Sequence, residues 1–203
     1  MQIDLLRHGE CSDQAWLRGR VDSALSQKGR LQMQAALNQL TRQNRHYDKI
    51  ICSPAQRCQL CDQAGLNLQT ANVSVSDNWQ ERNFGVLDGL SFQAVEQQYP
   101  TELQAYLNAP FTYAISKAEC FEIFQNRIYQ AWSNLIQTDN DSVLIVTHGG
   151  PMRLVLQHVL GLSNQQLFNL QLGYAARLTI EVFATDSTPF CKLVELVQIE
   201  DGE

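Results

Sequence analysis

The chain is expected to fold as a three-layer α/β/α sandwich around a mostly parallel, mixed sheet, as a single domain over residues 1–203. Three observations predict this. Short, continuously apolar runs recur with segments of helical period between them, the pattern of strands buried on both faces by crossover helices. The segment Arg177–Val182 instead alternates apolar and polar residues, as a strand with one wet face does. No repeat, low-complexity tract or Pro/Gly-rich linker divides the 203 residues, a length that one domain can bury well.

The elements follow in chain order. Residues 2–6 read as a buried strand. After an irregular stretch, Ser26 can cap a helix running to about Asn44, with Met33, Ala36, Leu37 and Leu40 on one face. Lys49–Cys52 is a short buried strand, and Ser53-Pro54 is expected to open a helix as N-cap and first residue, with Gly65 closing it. A further strand is expected near Val73–Val75. Ser91–Tyr99 reads as a helix stopped by Pro100, with Thr101-x-x-Gln104 as a capping box for the next. Ser116-x-x-Glu119 is a second such box, before a long helix that aligns Phe121, Phe124, Ile128, Trp132, Leu135 and Ile136. Val143–Thr147 is a strand, and Pro151 as first residue and Gly161 past the end bracket the helix after it. Asp186–Pro189 has turn chemistry before a last strand near 190–199.

Composition narrows the function classes. Hydrophobic residues at 44% and charged residues at 18% describe an ordinary soluble globule. A net charge of −6 argues against a nucleic-acid surface. No apolar run approaches the ~20 residues of a membrane span, and the opening residues lack the pattern of a signal peptide, so a cytoplasmic location is expected. Of the six cysteines, Cys58 and Cys61 form a C-x-x-C pair. No second pair or neighbouring histidine completes a zinc site, and reduced thiols acting as small apolar side chains are the expectation. No metal and no cofactor are expected.

The chemistry lies at the strand ends. Leu5-Leu6 runs into Arg7-His8-Gly9, and Ile145-Val146-Thr147 into His148-Gly149-Gly150. In open α/β sheets ligands sit beyond the carboxyl ends of strands. A histidine is a nucleophile or proton carrier near neutral pH, and an adjacent arginine is a fixed cation for phosphate. Arg57 stands at about the fourth position of the helix expected after Ser53-Pro54, so its side chain should lean back to the same sheet edge. Any one of these alone is more often a solvated arginine or a core histidine. Arg7, His8, Arg57 and His148 on one edge together point to phosphoryl chemistry on histidine. Free amides at helix starts after Ser53 and Gly150 would add anion donors.

These residues resemble the histidine phosphatase superfamily, the phosphoglycerate-mutase-like enzymes. The resemblance runs through five blocks in order: Leu6–Glu10, Leu25-Ser26-x-x-Gly29, Ser53–Cys58, Glu81–Gly89 and Thr147–Arg153. It implies an α/β/α sandwich whose sheet has one antiparallel strand. It further implies His8 as a nucleophile that becomes phosphohistidine, Arg7, Arg57 and His148 around the phosphoryl group, and Glu81 as proton donor to the leaving group. Glu81 by itself would pass for a solvated loop carboxylate. Cys11 and Gln14 stand where many members carry Thr and Asn. The short chain, Gly149-Gly150 followed by Arg153, and Arg57-Cys58 look most like the α-ribazole phosphatases. The expected partner is thus a small phosphorylated metabolite such as α-ribazole 5′-phosphate. Other sugar phosphates or nucleotides, a mutase, and a non-catalytic phosphate-binding module are the alternatives.

Overall fold

The strands form one six-stranded sheet in the order β3-β2-β4-β1-β5-β6. Their spans are Gln2–Arg7 (β1), Lys49–Cys52 (β2), Asn72–Val75 (β3), Ser142–Thr147 (β4), Arg177–Phe183 (β5) and Phe190–Val197 (β6). The structure is a computed structural model that describes residues 1–59, 72–185 and 189–199. β1 to β4 are parallel, β5 runs antiparallel to β1, and β6 antiparallel to β5. The mixed sheet and its single reversed strand match the expectation.

Period-two alternation decides which side chain faces which layer. Val143 and Ile145 of β4, with Ile3 and Leu5 of β1, pack under α4 (Phe121–Leu135) and α5 (Gly149–Leu160). Leu144 and Val146, with Leu6 and Ile50, face α1 (Gln27–Arg42), where Met33, Ala36, Leu37 and Leu40 meet them as the helical period predicts. Ser26 caps α1 by accepting from the Gly29 amide, and Asn44 behind the helix takes a left-handed φ of 52° that ends it. The short helices α2 (Phe92–Gln98) and α3 (Pro100–Asn108) build a third, smaller cluster around Leu87, Val95, Leu103 and Ile115.

Several expected starts and caps are corrected. No α-helix opens at Ser53-Pro54: a single 3₁₀ turn, Gln56–Cys58, follows instead, because the Ser53 hydroxyl is engaged by His148 rather than by a helix amide. Gly65 and Cys61 lie outside the described residues, as does the turn at 186–188. Pro100 is itself the first residue of α3 after Tyr99, so Thr101 caps nothing. α4 starts after Cys120, and the Glu119 carboxylate is drawn to Arg127 rather than to a capping box. Pro151 is the third residue of α5, which begins at Gly149. Gly161 ends that helix in the left-handed conformation, as expected.

Candidate active site

The parallel order brings the carboxyl ends of β2, β4 and β1 side by side, with β4 in the middle. Three junctions therefore converge: His8 after β1, Ser53–Arg57 after β2 and His148 after β4. The two imidazoles meet edge to face at 5.2 Å between ring centres. Both are buried.

His8 Nδ1 lies 2.7 Å from the Gly9 carbonyl oxygen. A carbonyl only accepts, so Nδ1 carries the proton and Nε2 keeps its lone pair. Burial, then the Arg7 and Arg57 guanidiniums, pull the His8 pKa well below its ordinary 6.5, which keeps the ring neutral. Burial first, and then His8, Arg57 and Arg7, favour the neutral ring at His148 as well. Its Nε2 is 2.7 Å from the Ser53 hydroxyl.

The arginines differ from a simple clamp. Arg57, fully buried on its 3₁₀ turn, donates from Nη1 to Val21 O (2.7 Å) and from Nη2 to Gly19 O (2.8 Å), while its Nε is buried without a partner. Two terminal nitrogens thus tie down the 18–22 segment, and the remaining protons are left for an anion. Asp88 anchors the same segment from the other side, accepting from the Gly19 and Arg20 amides at 2.9 and 2.7 Å. Arg7 donates to Leu172 O (2.5 Å), lies 4.4 Å from the centre of the Tyr174 ring and also leaves Nε unpartnered. Tyr174 is held over it by a strained turn. Ala175, at φ 54°, donates its amide to His8 O at 3.1 Å.

Glu81 sits on the loop before α2, level with the imidazoles. Its Oε2 accepts from the Gly150 amide at 2.8 Å, the second residue of α5, and its Oε1 from the Arg82 amide at 2.9 Å. The loop is fixed from behind by Thr147, which donates to Trp79 O at 2.6 Å, and by Arg127 of α4, which donates to Asn78 O (2.8 Å) and Gln80 O (3.0 Å). One expected amide donor, Gly150, is therefore taken by Glu81, and the other has no helix behind it. Cys11 lies with Sγ 3.9 Å from His8 Nδ1. Burial pushes its thiol pKa up, so it packs as a small apolar group.

A cleft of about 250 Å³ opens beside these groups. Arg7, His8, Glu81 and Gly150 form its inner end, and Trp16, Phe84, Tyr106, Phe111, Phe121 and Phe168 supply aromatic walls. Arg18, Arg82, Arg153 and Tyr174 also line it. Sequence reasoning assigned these no role, because each comes from a different loop or helix face without a periodic signal. An anion-binding pocket, a neutral imidazole with a free lone pair and a carboxyl facing an aromatic cleft can together transfer a phosphoryl group.

That fold and arrangement belong to a known class. The chain is a member of the histidine phosphatase superfamily (branch 1), whose family model matches residues 3–193. It is 25% identical to a 2,3-bisphosphoglycerate-dependent phosphoglycerate mutase of Bartonella henselae, over 94% of this chain and 96% of that protein. It is 24% identical to phosphoserine phosphatase 1 of Hydrogenobacter thermophilus, over 80% and 78% of the two chains. Among solved structures, the α-ribazole phosphatase from Shigella flexneri superposes with a TM-score of 0.81 at 21% identity, covering 96% of each chain.

Proposed function

We propose that the protein is a phosphomonoesterase acting through a phosphohistidine at His8. The observation that carries this is the Nδ1–Gly9 hydrogen bond, which turns Nε2 of a neutral imidazole into the attacking lone pair. Nε2 attacks phosphorus and the ester P–O bond breaks. The Glu81 carboxyl gives its proton to the departing oxygen, then as carboxylate takes one from water attacking the phosphohistidine. Arg7, the free Nε of Arg57 and an N–H of His148 align and neutralise the phosphoryl oxygens, and positioning plus charge is most of what this reaction requires. The arginines supply that charge and His148 a hydrogen bond, so activity should persist in EDTA.

The narrower reading is α-ribazole 5′-phosphate. The aromatic walls of the cleft support a leaving group with a planar ring, and the Shigella flexneri phosphatase shares the fold. Sugar phosphates and nucleotides form the rival class. In a mutase the phosphoryl group would return to a second hydroxyl, and added bisphosphoglycerate would then be needed for turnover. Rapid quench during turnover should trap an acid-labile, base-stable label on His8, and normal turnover by His8→Ala would sink the mechanism. Glu81→Gln should slow phosphohistidine formation from ribose phosphates far more than from p-nitrophenyl phosphate, whose leaving group needs little proton help. A uniform loss would remove Glu81 from the acid role.

A further inference from the structure

The two imidazoles border on two cavities of different chemistry. His8 lines the aromatic cleft. His148 lines a second cavity of about 220 Å³, together with Arg20, Asp22, Ala55, Gln80 and Glu81. Apart from the His148 imidazole, no described residue in that second lining is aromatic.

A bar of two crossing segments separates the cavities. The segment 15–22 gives Leu17 and Arg18 to the cleft but Gly19 and Arg20 to the second cavity. The loop of Glu81 divides in the same way, with Arg82 in the cleft and Gln80 beyond it. Where the segments cross they touch: a Cβ on Gly19 would lie 2.1 Å from Arg82 O and 2.6 Å from Asp88 Oδ2. Asp88 pins the crossing through the Gly19 and Arg20 amides. Glu81 is the one described residue that lines both cavities. The Gly150 and Arg82 amides hold its carboxyl in place between them.

That placement bears on the second half of the reaction. Hydrolysis puts a water oxygen where the ester oxygen has left, in line with the P–N bond and next to Glu81. The organic product, leaving through the cleft, stands between that point and solvent on its own side. The second cavity has polar groups to bind water and room for several molecules. We propose that it is a water port, by which the hydrolytic water reaches Glu81 without passing the organic product. The water oxygen bonds to phosphorus as the P–Nε2 bond breaks. The bonding electron pair returns to His8 Nε2, and a water proton goes to the Glu81 carboxylate. This rests on reading the site as a phosphatase that uses His8, and adds a separate entrance for each half-reaction.

Plugging the port should slow one half-reaction and spare the other. Ala55→Trp fills it from the turn after β2, and Arg20→Trp from the segment 15–22. Ala55→Ser and Arg20→Ala are the matched changes that leave it open. Rapid quench with radiolabelled p-nitrophenyl phosphate follows label arriving on His8 and then leaving it. In both Trp variants departure should slow by about tenfold or more while arrival stays within about twofold, so that labelled His8 accumulates in the steady state. The Ser and Ala variants should match the unsubstituted protein in both steps. Departure at the unsubstituted rate in either Trp variant, or equal losses in both steps, would overturn the port. So would an Arg20→Ala loss as large as that of Arg20→Trp, because charge and not access would then be the cause. A failure of the unsubstituted protein to label His8 at all would overturn the phosphatase reading, and the port with it.

Discussion

A carbonyl oxygen decides which nitrogen of His8 keeps its lone pair. The Gly9 oxygen at 2.7 Å takes the Nδ1 proton, and burial beside Arg7 and Arg57 keeps a second proton off Nε2. Nitrogen NMR of the imidazole should therefore show a neutral Nδ1–H tautomer at pH 6, with no titration near the ordinary 6.5. A midpoint near 6.5 would mean that the ring is solvated and the cleft more open than described. Arg57 offers a second check at this scale. It holds the Gly19 and Val21 carbonyls and is the proposed donor to the phosphoryl group, and a lysine cannot make both sets of contacts. Arg57→Lys should lower turnover by roughly 10²-fold, a loss of about 3 kcal/mol of transition-state stabilisation. The surface change Arg42→Lys, at the end of α1, should leave turnover where it is. Similar losses at both positions would contradict the geometry.

At the scale of elements, α5 does more than fill the layer over β4. Its second residue, Gly150, supplies the amide that holds Glu81, and a Cβ there would overlap Glu81 Oε1. Gly150→Ala should push the carboxyl off its amide and cut turnover of alkyl phosphates by about tenfold or more, on the scale of general acid catalysis. Turnover of p-nitrophenyl phosphate should fall less. An equal fall for both would mean that the substitution disturbs His148 or the phosphate pocket instead. The loop carrying Glu81 is otherwise clamped from α4 through Arg127, so the displacement should remain local.

The molecule as a whole carries two buried neutral histidines at one sheet edge, and that sets its response to acid. Both folded-state pKa values lie well below the ordinary 6.5. Below about pH 6.5 the unfolded chain therefore binds protons that the folded chain refuses. Stability is fully present above that pH and falls as the pH drops, until the folded-state values are reached. With two such groups the slope reaches about 2.7 kcal/mol per pH unit at its steepest. Urea melts between pH 7.5 and 5 should show it, and the double change His8→Asn, His148→Gln should flatten it. A profile unchanged by the double variant would assign the acid sensitivity to other groups.

Much of this architecture is local and so was written in the order of residues. Strand and helix periods assign Ile3 and Leu5 to one layer and Leu6 to the other, and the histidine–glycine junctions mark the strand ends that converge on the proposed site. These features need only near neighbours in the chain. The Thr101 box failed because the helix already starts at Pro100, and the Ser116 box because Arg127 draws the Glu119 carboxylate away. The helix after Ser53 failed for the same reason, since a hydroxyl that could cap it binds a histidine 95 residues away. Glu81 was recognisable only by resemblance, because the amide that holds it lies 69 residues further on. Asp4 reads as a flaw in an apolar strand, yet Tyr47, Arg177 and Thr179 converge on it from distant elements and satisfy it. Arg153 and Tyr174 gained their places in the cleft in the same way. Periodicity and junction chemistry act along the chain, whereas the partner of a buried polar group is chosen across the fold, and that choice belongs to the tertiary structure.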